Sequence, residues 1–245
     1  MNFSIIIPTL NEEKTIQSCL SALQALRNNC EIIIADGGSI DNTRMLAAPL
    51  ADKVIMSALG RAKQMNNGAG QATGDVLIFL HADTRLPENA LPLIQQKISP
   101  VQPWGRFDIQ LSGNPFMLEV IARMMNWRSR LTGIATGDQV IFVTRAAFVN
   151  AGQYAEIDLM EDIALCKALK KISPPICLKA KVISSGRRWE HNGICKTILL
   201  MWSLRLRYFF GADPQKLAFL YTHGRFTQFN FSGLWGMIKS YLDSS

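Results

Sequence analysis

The sequence lacks the features that would place it in several common classes of protein. Its five cysteines are scattered and odd in number, and none belongs to the C-x-x-C pair typical of zinc sites and redox motifs. This pattern favours free thiols in a reducing compartment over a disulfide framework. The N-terminus has no basic segment followed by an apolar one, so we do not expect a secretory signal. These absences together favour a cytoplasmic protein.

Long apolar runs are missing as well. The most apolar segment spans residues 194–211, and its uncharged part runs only from Thr197 to Leu204, far short of the ~20 residues that cross a bilayer. We expect residues 194–245 to form a helical extension, in which residues 194–211 form an ordinary core helix. Trp, Phe and Arg in the segment also suit an interfacial helix, which leaves open a peripheral contact with the inner face of the cell membrane.

Acidic residues are outnumbered by basic ones. The chain has 26 Lys and Arg against 19 Asp and Glu, which gives a net charge of +7. Such an excess attracts an anionic partner, which could be a nucleotide phosphate, an acidic membrane surface or nucleic acid. Charge alone does not choose among these partners, and surface charge that only keeps the protein soluble explains it equally well.

The first hundred residues alternate between strand and helix patterns. The apolar, β-branched run Phe3–Ile7 predicts a strand that ends at Pro8. A helix is expected from near Glu12, with Asn11 as its N-cap and Glu13 adding favourable charge at its first turn. Apolar residues recur there at helical spacing, which predicts one buried face; they are Ile16, Cys19, Leu20, Leu23 and Leu26.

The same alternation continues along the chain. Further strands are predicted at Glu31–Ala35, Lys53–Met56 and Asp75–Leu80, with helices over 41–50 and 61–71. The strand Asp75–Leu80 is continuously apolar, as in strands buried on both faces of a parallel sheet. The pattern predicts an α/β fold with a mostly parallel, doubly wound sheet and right-handed crossovers.

The pattern changes beyond about residue 100. Strands are predicted at Phe107–Leu111 and Val140–Thr144, separated by a long helix over 115–131. A further helix is predicted over 157–171, with an acidic start and a basic end that suit its dipole.

Polar clusters follow three of the predicted strands. They are Pro8-Thr9-Leu10-Asn11-Glu12, Asp36-Gly37-Gly38 and His81-Ala82-Asp83. Ligands in such folds bind outside the carboxyl ends of the strands. The carboxylate after the second strand suits a nucleoside, and the one after the central strand can hold a divalent cation. Singly, Asp36 is equally well a turn residue and Asn11 a cap, but the conjunction favours one shared ligand.

These motifs, together with Glu161-Asp162, resemble those of the family 2 glycosyltransferases of GT-A fold over roughly residues 3 to 190. The resemblance implies an inverting transferase that uses a nucleotide-diphosphate sugar, commonly UDP-linked, with Mn²⁺ or Mg²⁺. The acceptor would be a hydroxyl group, lipid-linked acceptors included, and no nucleic acid would be bound. The implied nucleotide-sugar contacts are Pro8, Thr9, Asn11, Glu12, Asp36, Gly37, Arg61 and Asp83.

The resemblance also implies a division of the chain. Residues 1–193 would form the glycosyltransferase domain, with a nucleotide-sugar-binding half over about 1–100 and an acceptor and catalytic half over 101–193. Residues 194–245 would form the helical extension.

The metal motif departs from the family pattern. Asp-x-Asp is usual there, whereas His81 stands at the first position here and Asp83 at the last. Histidine is a competent ligand for Mn²⁺ but a poor one for Mg²⁺, which prefers oxygen. Asp83 is therefore the expected metal ligand. His81 has two alternative roles, of which a hydrogen bond to neighbouring groups is favoured over a place in the metal shell.

The catalytic base is implied at a helix start. Inverting transfer needs one group to deprotonate the acceptor hydroxyl as it attacks. Glu161 and Asp162 open the predicted helix, a placement that the helix dipole alone would explain. By the resemblance, Asp162 is the base and Glu161 is its companion.

A second dense cluster spans residues 186–193. Arg187 or Arg188 could neutralise the leaving group, Trp189 could stack on a sugar, and His191 could complete the metal shell. A cation–π contact at the surface without any role explains the cluster equally well. Asp138, which precedes a predicted strand, is a further candidate for the acceptor pocket.

Three other functions compete with glycosyl transfer. A sugar-1-phosphate nucleotidyltransferase would carry a glycine-rich loop after the first strand, and residues 8–12 contain no glycine. A dinucleotide-binding dehydrogenase lacks support for the same reason. A non-catalytic protein that binds nucleotide sugars at the membrane remains open.

Overall fold

The computed structural model describes residues 1–113, 116–187, 189 and 193–223. The chain forms two compact units. The first comprises Met1–Glu156 and Glu161–Gly186, and the second comprises Ile157–Met160 and Arg187–Ser245. The predicted division at residue 193, and the two halves predicted within the first part, stay predictions.

The first unit is built on one mixed sheet, whose strand order over the described residues is β3-β2-β1-β4-β7-β6-β8-β5. The strands are β1 Phe3–Thr9, β2 Cys30–Asp36, β3 Lys53–Met56, β4 Val76–Phe79, β5 Thr84–Arg85, β6 Trp104–Ser112, β7 Ile141–Thr144 and β8 Ile176–Ser185.

Helices connect these strands. They are α1 Ile16–Leu23, α2 Thr43–Ala47, α3 Arg61–Gln71, α4 Ala90–Lys97, α5 Phe116–Thr132, α6 Arg145–Asn150 and α7 Glu161–Leu169. Short 3₁₀ segments span Gln24–Asn29 and Gly137–Gln139. The α/β prediction is confirmed.

The first four strands, β3-β2-β1-β4, are parallel, as the sequence predicts. The apolar stretches of β1, β2 and β4 are buried on both faces, with Ile5 opposite Ile32 and Ile6 opposite Ile33. Burial of this apolar surface drives their association. Because the four strands run in one direction, the loops after β1, β2 and β4 all emerge at the same edge of the sheet.

The second half of the sheet is less parallel than predicted. β7 runs antiparallel to β4, and β6 runs antiparallel to β7 and parallel to β8. Four elements were absent from the sequence prediction: β5, β8, α4 and α6. In β8 buried residues alternate with exposed or partly exposed ones, and Lys179 and Lys181 are both exposed. That alternation is the signal of a strand with one buried face.

The first helix begins later than predicted, and the prediction that Asn11 caps it is wrong. α1 starts at Ile16, with Thr15 at its N-cap. Asn11 has a positive φ of 55° and its side-chain oxygen accepts a hydrogen bond from the backbone N–H of Ile40. The capping oxygen is therefore used in a contact 29 residues away. The predicted apolar face of the helix is buried as expected.

Other predicted boundaries shift by a few residues. The helix expected over 41–50 is Thr43–Ala47, and the one expected over 157–171 is Glu161–Leu169. All four cysteine side chains that the structure describes are free thiols, namely those of Cys19, Cys30, Cys166 and Cys177.

The C-terminal part of the second unit contains two helices among its described residues. They are α8, Ile194–Phe209, and α9, Pro214–His223. Leu204 and Leu217 are buried. Over the part of the chain that is described, no helix is long and apolar enough to cross a membrane.

The Glu31 carboxylate ties together the starts of three neighbouring strands. Its Oε1 accepts hydrogen bonds from Ser4 Oγ at 2.6 Å, Thr73 Oγ1 at 2.8 Å, Gly74 N at 3.3 Å and the backbone N–H of Thr73. Lys53 Nζ lies 3.5 Å from Oε2. Burial acts to raise the pKa of Glu31, but the bonds from Ser4 and Thr73, together with Lys53, lower it to about 2.

We expect Glu31→Gln to lower the free energy of unfolding by about 1.5–3 kcal/mol at neutral pH, the usual range for hydrogen bonds to a charged group. The folded-state pKa lies below the ordinary carboxyl value, so this stability is present above about pH 4.5 and is lost as the pH falls towards about 2. The free energies of unfolding of the wild type and of Glu31→Gln, measured with urea at several pH values, should therefore converge below about pH 4. Glu88→Gln, at an exposed position, is the control. If the difference in free energy of unfolding between the wild type and Glu31→Gln stayed constant with pH, the proposed role of the Glu31 carboxylate would be contradicted.

Candidate active site

The Asp36 carboxylate joins the loops that follow β1 and β2. It is fully buried and accepts hydrogen bonds from Thr9 Oγ1 at 3.0 Å, Ser39 Oγ at 2.6 Å, Ser39 N at 2.8 Å and Gly38 N at 3.1 Å. Arg44 Nε lies 3.8 Å away. A carboxylate can accept about four hydrogen bonds, so these four donors from the protein occupy the accepting positions of Asp36. Thr9 and Asp36, both predicted to contact a nucleotide, therefore contact each other.

The loop after β1 is fixed against the loop after β2. Asn11 N donates to Ser39 Oγ at 2.9 Å, and Ile40 N donates to the Asn11 side chain at 3.0 Å. Glu12 N donates to Thr43 Oγ1 at 2.7 Å. Asn11 and Glu12 thus lie on a loop whose backbone is already ordered. Pro8 lies in β1 opposite Ala35 and belongs to the same edge.

Gln64, which the sequence analysis missed, anchors both loops from α3. Its buried Nε2 donates to Thr9 O at 2.7 Å and to Ala35 O at 2.8 Å. A β-carbon on Gly37 would lie 3.0 Å from the Gln64 amide, so the glycine permits this approach. The resemblance implies that Gly37 contacts the nucleotide sugar; in the structure Gly37 lies against the Gln64 side chain. A buried glutamine three residues after Arg61 gives no signal in the sequence.

The two acids at the start of α7 occupy different environments. Asp162 Oδ2 accepts a hydrogen bond from Gly137 N at 3.0 Å, and its Oδ1 accepts one from Ile163 N at 2.7 Å. Glu161 is buried, and its Oε1 lies 3.6 Å from Arg61 Nη1. Burial raises the pKa of Asp162 to about 6, with a further rise from Glu161, while the two backbone hydrogen bonds and Arg61 oppose it. A carboxylate with such a pKa can take up a proton near neutral pH.

α3 connects the Asp36 loops to this acidic pair. Arg61 is its first residue and lies beside Glu161, while Gln64, one turn later, holds the carbonyls of Thr9 and Ala35. The structure therefore brings Arg61, predicted on the donor side, next to Glu161, predicted on the catalytic side.

His81 links the end of β4 to the segment that holds Asp162. Its Nδ1 lies 3.3 Å from Asp138 Oδ1. Its Nε2 packs against Gly137, where an added β-carbon would lie 2.5 Å away. The two ring nitrogens therefore face residues 137 and 138. For His81 the sequence favoured a contact with neighbouring protein groups, and the structure shows such a contact.

Asp83 is partly exposed near the same edge, with Thr84 Oγ1 3.4 Å from its Oδ1. No group of three or more His, Cys, Asp and Glu side chains that could hold a metal occurs among the described residues. Cations bound together with phosphates commonly take only one or two protein carboxylates. Asp83 therefore fits a metal shared with a diphosphate but does not fit a metal held by the protein alone.

Four further site residues were predicted in the segment 187–191. Arg188 and His191 fall outside the described residues. Arg187, which is exposed, and Trp189, which is partly exposed, belong to the second unit. Their roles at the acceptor and the diphosphate stay predictions.

Residues 4–107 match the model of the glycosyl transferase family 2. The chain is 38% identical over 96 residues to a PGL/p-HBAD biosynthesis glycosyltransferase of Mycobacterium bovis, a match that covers 35% of this chain and 37% of that protein. It is 32% identical over 108 residues to the dolichol-phosphate mannosyltransferase of Pyrococcus furiosus, covering 40% of this chain and 30% of that protein. The chain thus spans about a third of the length of the curated relatives that it matches.

Solved structures share the fold. The mannosyltransferase PcManGT from Pyrobaculum calidifontis, in complex with GDP-Man and Mn²⁺, superposes with a TM-score of 0.61 at 17% identity, covering 89% of this chain and 69% of that one. The glucosyl-3-phosphoglycerate synthase from Mycobacterium tuberculosis, in complex with Mn²⁺, UDP and glucosyl-3-phosphoglycerate, superposes with a TM-score of 0.55 at 17% identity, covering 75% and 70%. At these identities the likeness establishes the fold, which is the GT-A type expected from the sequence.

Proposed function

We propose that this chain is a family 2 glycosyltransferase, which moves a sugar from a nucleotide-diphosphate sugar to an acceptor hydroxyl with inversion. The observation that carries the proposal is the Asp162 carboxylate, which is held by two backbone amides beside a buried second acid. The match over residues 4–107 and the shared fold support the same reaction class.

The donor site is proposed at the paired loops after β1 and β2. Their backbone is ordered by Asp36 and Gln64, so a nucleoside meets a preformed surface that includes Asn11 and Glu12. Since the Asp36 oxygens are already occupied, a nucleoside contact with Asp36 has to replace or share one of its internal donors. UDP is the preferred nucleotide on the motif resemblance, and solved structures of this fold hold either UDP or GDP-Man.

The metal is proposed at Asp83, as Mn²⁺ or Mg²⁺ shared with the donor diphosphate. When bound, it would offset the negative charge that develops on the leaving diphosphate. The Mn²⁺ in two solved structures of this fold supports the assignment. His81 is proposed to orient the 137–138 segment through Asp138, outside the metal shell.

The proposed chemistry needs only one proton acceptor from the chain. Asp162 takes the proton of the acceptor hydroxyl while the hydroxyl oxygen attacks the anomeric carbon from the side opposite the diphosphate. The bond from the anomeric carbon to the diphosphate oxygen breaks in the same step, and the nucleoside diphosphate leaves with the bonding electrons. The amides of Gly137 and Ile163 hold the Asp162 carboxylate in place during this step. Glu161 raises the pKa of Asp162 and so makes it a stronger base. The positive charge of Arg61, which lies beside Glu161, acts in the opposite direction and lowers that pKa.

We expect Asp162→Asn to lower the rate of sugar transfer by about 10²–10⁴-fold, the usual contribution of a general base. UDP binding should change little, because the proposed donor loops follow β1 and β2, whereas Asp162 lies at the start of α7. The rate should be measured as UDP release from a UDP-sugar, and UDP affinity by calorimetry. In the wild type the rate should rise with pH through about 6, as Asp162 loses its proton, and then level off.

Asp158→Asn, at an exposed position, is the matched control and should retain the wild-type rate. Unchanged turnover in Asp162→Asn would refute its role as base. A rate that falls as the pH rises through 6 would contradict it as well.

A second prediction concerns Asp83. Mn²⁺ added to the wild type with saturating UDP should raise the melting temperature above that with UDP alone, because metal and nucleotide bind the folded state together. Asp83→Asn should lose this metal-dependent increment and keep the increment due to UDP. An equal response to Mn²⁺ in the wild type and in Asp83→Asn would place the metal elsewhere.

Contact with a membrane surface is proposed for α8. Four large apolar side chains, those of Leu199, Trp202, Leu206 and Phe209, are exposed at a 3-4-3 spacing, which places them on one face of the helix. Lys196 and Arg207 lie on one side of this face and Arg205 on the other. An apolar stripe flanked by cations suits the boundary between acyl chains and anionic headgroups. An acceptor linked to a lipid would be within reach of such a protein, and the name of the Pyrococcus relative supports this acceptor class.

We expect the protein to co-sediment with vesicles that contain anionic lipid at low salt, and the double variant Trp202→Ser, Phe209→Ser to lose most of this binding. Both side chains are more than half exposed, so the fold should tolerate the change. Val101→Ser, another exposed apolar position, is the control. Equal sedimentation of the wild type and the double variant would exclude this face as the membrane contact.

A further inference from the structure

Several buried polar atoms close to Asp162 lack a hydrogen-bond partner among the described residues. They are Nε and Nη2 of Arg128, Oγ1 of Thr136 and Oε1 of Gln139. Thr136 and Gln139 flank the turn whose Gly137 amide binds Asp162. Buried polar atoms are nearly always paired in folded proteins, and a group of exceptions beside a functional carboxylate marks a place for a polar ligand.

Arg128 is carried by a rigid part of the first unit. On α5 its neighbour Ser129 accepts a hydrogen bond from Gln139 Nε2 at 3.0 Å. Asn126, also on α5, accepts one from Ile109 N at 2.8 Å and lies 3.3 Å from Gln139 Nε2. α5 is thereby locked both to β6 and to the turn that holds Asp162. Burial lowers the pKa of Arg128 while the negative charge of Asp162 opposes this, which places the guanidinium within the field of the proposed base.

Other arginines on α5 have acidic partners, which sets Arg128 apart. Arg123 pairs with Glu119 at 2.6 Å, and Arg130 pairs with Asp108 at 2.5 Å. Arg128 makes no hydrogen bond to a carboxylate among the residues that the structure describes. A guanidinium with two adjacent, buried and unused N–H groups is suited to bidentate recognition of an oxyanion.

The position of Arg128 favours the acceptor over the donor as the source of that oxyanion. The proposed donor loops follow β1 and β2, whereas α5 is fixed to β6, which is separated from β1 by β4 and β7 in the sheet. Asp162, held by the turn before β7, lies between them in the order of the sheet. Arg128 therefore belongs with the β6 part of the sheet and the Asp36 loops with the β1 and β2 part.

We propose that Arg128, Thr136 and Gln139 form an acceptor subsite beside Asp162, which binds an acceptor carrying a phosphate or carboxylate group near its attacking hydroxyl. This proposal rests on the proposed glycosyltransferase function. Arg128 binds the oxyanion through Nε and Nη2, the Thr136 hydroxyl adds a third donor, and Gln139 Oε1 accepts a hydrogen bond from a hydroxyl of the acceptor. Neutral sugars without an acidic group would be poor acceptors.

The test is phosphate binding by the full chain in the presence of saturating UDP and Mg²⁺, which occupy the donor site. Inorganic phosphate is the probe, titrated by the fluorescence of the protein, since Trp127 adjoins Arg128. We expect phosphate to bind in addition to UDP, Arg128→Met to weaken it at least about tenfold, and Arg128→Lys to weaken it less, because lysine keeps the charge but loses the bidentate fork. Arg123→Met, an arginine on the same helix, is the matched control and should bind phosphate as the wild type does.

Equal phosphate binding by Arg128→Met and Arg123→Met would overturn the proposal. So would phosphate that competes with UDP, combined with weaker UDP binding in Arg128→Met, because Arg128 would then serve the donor diphosphate. A lower melting temperature of Arg128→Met with unchanged phosphate binding would assign a structural role instead. Failure of the glycosyltransferase function itself would show differently, as an absence of UDP binding and of UDP-sugar hydrolysis in the wild type.

Discussion

The buried carboxylate of Asp36 is the interaction on which the rest of the site depends. It stands at the carboxyl edge of β2 and is satisfied by donors from its own loop and from the end of β1. An unpaired charge at such a depth would be costly, so the folded state requires these donors to be in place. The two loops that would meet a nucleotide are consequently ordered by the same bonds that make the burial of Asp36 tolerable.

Helix α3 connects the Asp36 loops to the proposed catalytic acids at the start of α7. Gln64 holds the strand ends beside Asp36, and Arg61, one turn earlier, lies against Glu161. Glu161 in turn raises the pKa of Asp162, whose carboxylate is fixed by Gly137 and Ile163. The proposed donor loops and the proposed base are therefore parts of one hydrogen-bonded and electrostatic arrangement within the first unit. Preorganisation of this kind is what lowers the barrier for a reaction in which the protein forms no covalent bond to the sugar.

The sequence predicts the parts of the fold that are set by local burial. The apolar runs of β1, β2 and β4 are visible because strands buried on both faces consist of consecutive apolar residues. The helix predicted to begin near Glu12 begins at Ile16 instead. The Asn11 side chain, which could have capped it, accepts a hydrogen bond from Ile40, on a loop that only the tertiary fold brings close. β8 was missed although its alternation was present, because its lysines reduced the apolar signal.

Only those residues of the candidate site that belong to sequence motifs could be predicted. Asp36, Asp83 and Asp162 stand in recognisable sequence contexts, whereas Gln64 and Arg128 acquire meaning only through the groups that surround them in space. The roles of His81 show the same limit. Its place in the motif suggests a metal, and only the coordinates show that its ring faces Gly137 and Asp138.

The central claim is that Asp36 orders the proposed donor loops before any nucleotide binds, and amide hydrogen exchange tests it directly. The N–H groups of Gly38 and Ser39 donate to Asp36, so they should exchange slowly in the free protein, and saturating UDP should change their rates by less than about tenfold. Exchange of both amides at the rate of an unstructured loop in the free protein, with protection appearing only on addition of UDP, would contradict the claim.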